Sequence, residues 1–217
     1  MKLLLVCGPF GSGTTAVAGL LARLGAIGFG PYYRPADERT PDSHELIAFR
    51  DLMLTLASEE TTTLLPGADV KTALDRFRDR IANQELGAYD DGAAISIFLK
   101  HPLAALIIPQ ICAAFETRLI YLVRPVRDIE ASRRRRKWGA QYGAKAAGII
   151  YSHMFNALIN HAYPTTIVRY AELIERPLEH ARRLAAFAGL KGDADVMREA
   201  ATFVRGRQPP SPVTDAG

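Results

Sequence analysis

"GPFGSGTT", residues Gly8 to Thr15, follows the apolar run Lys2 to Cys7 and opens a stretch, Thr14 to Leu24, in which apolar residues return at helical spacing until Gly25. A strand that turns through glycines into a helix offers successive backbone N–H groups beside the positive end of a helix dipole, which attracts phosphate oxygens. The stretch therefore reads as a phosphate-binding loop made by the amides of Gly11, Ser12, Gly13, Thr14 and Thr15. The nucleotide-triphosphatase pattern G-x-x-x-x-G-K-[ST] is met at Gly8, Gly13 and Thr15, but Thr14 stands where its lysine would reach the β- and γ-phosphates. Without that lysine, γ-phosphoryl transfer lacks a main stabilising charge. Anion binding is predicted; ATP chemistry is disfavoured.

Working outward, "AAISIFLK" (93–100), "RLIYLV" (118–123) and "TTIVRY" (165–170) are further short apolar runs, and the helical stretch "LAALIIPQICAAF" (103–115) joins the first two. Four strands alternating with helices predict an α/β protein of the P-loop type, three layers with a central parallel sheet flanked by helices and ligands at the carboxyl ends of its strands. A helix is expected from about His44, capped by Ser43 after the long loop "GPYYRPADERTPDS", and a surface helix over 69–84 after the loop "EETTTLLPGA". At 217 residues and 23.8 kDa, one domain spanning 1–217 is expected, with a mobile tail over about 208–217.

Hydrophobic residues at 48% and charged residues at 23% exclude a disordered or fibrous chain. A net charge of +4 suits anionic partners without choosing among small molecules, acidic glycans and nucleic acid. Cys7 and Cys112 lie in apolar stretches and read as buried thiols, compatible with a reducing compartment and a cytoplasmic location. The longest later apolar stretch is broken by Lys100, His101 and Pro102, short of the roughly 20 residues of a spanning helix. His153, His161 and His180 have no zinc spacing, and no metal is expected.

"LVRPVRDIEASRRRRKW" (122–138) forms a second candidate anion site. Arg124 ends the strand, Asp128 is placed to cap the next helix, and Ser132 falls one turn in, on the face of Ile129 and Arg136. A guanidinium and a hydroxyl can converge there on one phosphate. The run Arg133 to Lys137 fans around a helix at about 100° per residue and does not form one patch, which speaks against nucleic acid.

Together these segments resemble the sulfotransferase family, whose 5' loop has the form P-K-[ST]-G-[ST]-[ST] and whose second motif is R-N-P-R-D-x-x-x-S. "FGSGTT" is similar to the second half of the loop; "RPVRD" keeps both arginines and the aspartate, and Arg124 and Ser132 keep the family's spacing. "VRYAELIERPLEHARRLAAFAGL" (168–190) resembles the family's Y-E-D-L segment and the helix after it, with Tyr170 matching the tyrosine near adenine. "FVRGRQPP", with Arg205 and Arg207, is somewhat like the basic-glycine segment that closes over the 3'-phosphate.

The resemblance implies 3'-phosphoadenosine 5'-phosphosulfate (PAPS) as co-substrate and sulfuryl transfer to a hydroxyl or amine of a small-molecule, glycan or lipid acceptor. A non-catalytic PAPS- or nucleotide-binding module and an ATP-dependent small-molecule kinase are the alternatives. One departure bears on activity: Gly11 stands where the family's loop carries its basic residue. Lys100, at a strand end, is the favoured compensator, with Arg127 and Arg136 behind it. Glu45, His44 and His101 are the candidates for the base that takes the acceptor proton.

Overall fold

The computed structural model describes residues 2–34, 43–85 and 96–205. Arg207 and the tail fall outside this range, and the side chain of Arg205 is also outside the described portion. In chain order the elements are β1 (Lys2–Cys7), α1 (Thr14–Arg23), α2 (Ile47–Leu56), β2 (Ala57–Ser58), β3 (Thr63–Leu64), α3 (Val70–Arg80), β4 (Ser96–Lys100), α4 (Ile108–Ala114), β5 (Glu116–Val123), α5 (Val126–Arg135), α6 (Ala144–Asn160), β6 (Thr165–Arg169), α7 (Tyr170–Glu175), α8 (Pro177–Ala188) and α9 (Ala194–Arg205).

Four strands make one parallel sheet in the order β4-β1-β5-β6, and β2 with β3 makes a small antiparallel hairpin. Continuous apolar runs form the inner strands because both faces of a parallel sheet are covered. Side chains alternate between the two faces. Leu3, Leu5 and Cys7 of β1, with Ile97, Leu99, Leu119 and Tyr121, pack under Phe49, Leu74, Ile111 and Ile150 from α2, α3, α4 and α6. Leu4 and Val6, with Phe98, Ile120, Leu122 and Val168, pack on Leu20, Leu184 and Val204 from α1, α8 and α9. Three layers result, each fully buried aliphatic side chain contributing about 1.5–3 kcal/mol.

Several local expectations are corrected. Ser43 does not cap α2: its hydroxyl donates to Tyr33 O and accepts the Glu45 N–H (3.0 Å), which turns the chain, and the helix begins at Ile47 after Leu46. His44 and Glu45 therefore precede the helix, and His44 adopts φ 53°. The helix expected over 103–115 is a 3-10 turn over Pro102–Ile107 followed by α4. α3 is capped by Asp69, whose carboxylate accepts the Thr72 N–H, and gives way at Ile81 to a wider π-turn. Tyr170 starts α7 and does not extend β6. Asp128 lies in the first turn of α5, where it complements the dipole, but Pro125 occupies the cap. Cys7 is buried and Cys112 half-buried; both are free thiols. Among the described residues no helix is long and apolar enough to cross a membrane, and no cluster of His, Cys, Asp and Glu could hold a metal ion.

Candidate functional site

The loop from Gly8 to Gly13 leaves the carboxyl end of β1, between β4 and β5. Gly8 is required by crowding: a Cβ there would fall 2.7 Å from Ser12 Oγ and 2.9 Å from Leu122 O. Gly13 is required by conformation and by space. It caps α1 at φ 102°, in the left-handed region, and a Cβ on it would meet the ring of Tyr170 at 2.3 Å. No side chain caps α1, so the N–H groups of its first turn have no side-chain acceptor. Ser12 Oγ is buried and has no hydrogen-bond partner among the described residues. Thr14, at the position of the absent lysine, turns its side chain inward and is buried, whereas Thr15 is half-buried.

Two cations reach this loop from its two sides. From β4, Lys100 brings its ammonium to 3.1 Å from Thr15 Oγ1 and 2.8 Å from Glu45 Oε1, and is only 3% exposed. Burial of Glu45 favours its neutral form, but the charge of Lys100, the hydrogen bond it donates and the charge of Arg50 outweigh it, so its pKa is lowered and it is ionised. From the end of β5, Arg124 donates through Nη1 to Gly11 O (2.9 Å) and lies over the ring of Tyr170, 4.6 Å from its centroid. Its backbone is held by Tyr151 of α6, whose hydroxyl accepts from Arg124 N and donates to Arg124 O, both at 2.8 Å. Ser132 is buried on α5, its Oγ 3.8 Å from where a Cβ on Gly11 would lie.

The structure thus brings Gly11, Ser12, Gly13, Thr15, Lys100, Glu45, Arg124, Ser132 and Tyr170 to one end of the sheet. It does not bring His44 there: that ring is packed among Tyr32, Phe98 and Phe203 beside Gly19 of α1. His101 is buried as a cap of the 3-10 turn, its Nδ1 accepting the Leu103 N–H at 3.3 Å. That bond puts the ring proton on Nε2, which faces Glu59 Oε1 at 3.8 Å, and burial pushes the pKa down to about 4. Arg127 is exposed beside Asp128, and Arg136 lies over Trp138. Within the basic run, Arg133 and Arg134 are engaged by Glu130.

Sequence reasoning missed Tyr151, Arg50 and Glu59. Tyr151 sits in an apolar helix and Glu59 in a loop of small polar residues, so neither carries a local signal of its neighbours.

Neither a family model nor a curated protein sequence matches the chain. Solved structures do. The chain is similar to the sulfotransferase domain of the Synechococcus PCC 7002 olefin synthase (TM-score 0.56, 18% identity, covering 100% of this chain and 80% of that one). It is similar to the sulfotransferase domain from the curacin biosynthetic pathway (0.53, 16%, 90% and 76%) and to a sugar kinase from Janibacter sp. (0.51, 13%, 90% and 98%). At these identities the likeness shows the fold: an α/β, sulfotransferase-like architecture with a central parallel sheet of four strands, shared with a sugar kinase.

Proposed function

We propose that the chain is a sulfotransferase-like enzyme that binds PAPS and transfers its sulfuryl group to a hydroxyl or amine. The observation that carries this reading is the position of Lys100. Its ammonium lies 3.1 Å from Thr15 Oγ1, so a neighbouring strand supplies the cation that the loop itself lacks at Gly11 and Thr14. The residues present fit the donor in two further respects. The buried hydroxyl of Ser12 and the uncapped start of α1 are donors without a side-chain partner, which the oxygens of a 5'-phosphosulfate would satisfy. Arg124 and Ser132 both border Gly11 and could take the 3'-phosphate.

PAPS, when bound, offers a sulfur atom that the acceptor oxygen or nitrogen attacks while the bond to the 5'-phosphate breaks. Each residue then has a task. The amides of Gly11 to Thr15 hold the 5' end, and Lys100 balances the negative charge that grows on the bridging oxygen. Arg124 leaves the Gly11 carbonyl to fork onto the 3'-phosphate with Ser132, and Tyr170 packs against the adenine side. Arg205 and Arg207 are assigned to the 3'-phosphate on resemblance alone. Glu45, ionised and in contact with Lys100, takes the acceptor proton; His101, a neutral cap with a depressed pKa, and His44, in the core, are not given that task.

The test is a thermal-shift titration with adenosine 3',5'-bisphosphate against Mg-ATP. At a hundredfold excess over its dissociation constant a specific ligand stabilises by about 2.7 kcal/mol. Stabilisation by Mg-ATP alone would overturn the proposal in favour of a kinase, the reading to which the sugar-kinase fold likeness and Thr15 lend some support. Bisphosphate binding with no transfer from labelled PAPS to any alcohol, sugar or amine would leave a non-catalytic binding module.

A further inference from the structure

On the Lys100 side of the loop the side chains close a ring. It runs from Thr15 through Lys100 to Glu45, past Arg50 to Glu59, on to Tyr142, and back to Phe10 in the loop itself. Tyr142 donates its hydroxyl to Glu59 Oε2 at 2.9 Å and tilts its ring against Phe10, centroid to centroid 4.7 Å. Trp138 meets Tyr142 edge-on at 6.1 Å and approaches to 3.8 Å from the place of a Cβ on Gly11. Three half-buried rings therefore form a shelf that starts at the anion-binding loop.

Beside the shelf are two planar polar groups with capacity to spare. Arg50 has a side chain only 21% exposed, holds its guanidinium carbon over the Tyr33 ring at 4.3 Å from the centroid, and makes no hydrogen bond to any described residue; Glu59 Oε1 is at 4.0 Å. A guanidinium carries five N–H donors; those of Arg50 are engaged by no described residue and are not sealed from solvent, so they are open to a guest. Glu59 spends Oε2 on Tyr142 but holds Oε1 only in loose contact with Arg50 and with His101 Nε2.

The charges of the ring cancel: Lys100 and Arg50 (+2) stand against Glu45 and Glu59 (−2). An anionic guest would gain a guanidinium and meet two carboxylates, while a purely apolar ring would cover the free donors of Arg50 without satisfying them. A neutral ring with several hydroxyls meets both demands, its C–H face on the aromatic shelf and its hydroxyls on Arg50 and Glu59.

We propose that Phe10, Trp138, Tyr142, Glu59 and Arg50 form the acceptor subsite, and that it takes an uncharged polyhydroxylated ring of the neutral glycoside type. The assignment of this guest as a sulfuryl acceptor rests on the transfer reading above, with the hydroxyl nearest Glu45 and Lys100 being the one that reacts; its binding does not.

The chain contains one tryptophan, Trp138, so its emission reports on the shelf directly. The full chain is titrated with methyl β-D-glucoside, methyl β-D-galactoside and methyl α-D-mannoside, and in parallel with methyl β-D-glucuronide and cyclohexanol. A saturable change with at least one neutral glycoside is expected, weakened about tenfold or more in Arg50→Ala and Glu59→Gln, the scale of losing a buried hydrogen-bonding group. Tyr142→Phe, which deletes only the hydroxyl bound to Glu59, provides a milder variant should either of the others fail to melt cooperatively, and should weaken binding severalfold. No saturation with any of the three glycosides, tighter binding of the glucuronide or of cyclohexanol, or affinities unmoved by all folded variants would overturn the proposal. A parent protein that binds a glycoside but shows no melting shift with adenosine 3',5'-bisphosphate would sink the donor reading and keep the subsite.

Discussion

Replacing Lys100 by methionine removes the ammonium and keeps most of the side-chain volume. Lys100 is 3% exposed and the Glu45 side chain 13%, with 2.8 Å between them. The substitution therefore strands an ionised carboxylate away from water. Breaking such a buried pair from one side costs about 3–5 kcal/mol. For a chain of this size each 1 kcal/mol moves the melting temperature by about 2–4 °C, so a fall of about 6–20 °C is expected. The companion Lys100→Met/Glu45→Leu removes both charges and should recover most of that loss, because apolar side chains commonly replace a buried ion pair without penalty. Thermal and urea unfolding of the parent, the two single variants and the double variant gives the coupling energy directly. The sign with pH is also fixed. The lowered folded pKa of Glu45 gives the parent stability that is present above the ordinary glutamate value and lost as pH falls from there through the lower folded value. Without Lys100, burial raises that pKa, the carboxyl is protonated sooner, and the gap between parent and variant narrows in acid. Transfer, in contrast, should fall about a hundredfold in the single variant, where the cation is gone, and at least as far in the double variant, which also lacks the Glu45 carboxylate assigned to take the acceptor proton. A Lys100→Met protein that loses less than about 1 kcal/mol, as an exposed pair would, refutes the reasoning.

Further outcomes are expected. Gly13→Ala forces a side chain into φ 102° and onto the Tyr170 ring; a loss of about 1–2 kcal/mol from the backbone alone, with weaker bisphosphate binding, should appear in melting curves with and without ligand, and an unchanged protein would refute the account of the loop. Tyr151→Phe leaves the backbone N–H and C=O of Arg124 without their partner, costing about 1–3 kcal/mol by urea unfolding. Arg124→Lys should weaken bisphosphate binding nearly as much as Arg124→Ala in calorimetric titration, because an ammonium cannot reproduce the planar fork. His101 is held neutral with a folded pKa of about 4, below its unfolded value, so its contribution is present above about pH 6.5 and is lost as pH falls towards 4; His101→Asn should flatten the unfolding free energy against pH in that window.

The strand, loop and helix of residues 2–24 were legible because apolar continuity, glycine placement and helical spacing agree there, and each is a local property. That Arg124 and Ser132 would both lie near the loop was legible for the same reason, since a strand end followed by the first two turns of a helix fixes their places; what they bind was not. The start of α2 was not, since Ser43 makes a hydrogen bond to Tyr33, ten residues back, that competes with a helix cap. Nor was the sharing of Lys100 between Thr15 and Glu45, residues from three separate segments that only the packing of β4 beside β1 brings together. The Tyr142–Glu59 contact is likewise long-range: its members are ordinary residues of a turn and a hairpin until the fold closes.

β1 is paired on both edges, with β4 over Lys2 to Val6 and with β5 over Lys2 to Cys7. Its amides should trade their hydrogens for deuterium only when the entire molecule opens, while those at the uncapped start of α1, a few residues later, should trade within seconds. The unbonded amides at that helix start thus hang from the slowest part of the backbone, and an anion bound there, as proposed, would write its presence as a sharp step of protection between neighbouring peptides.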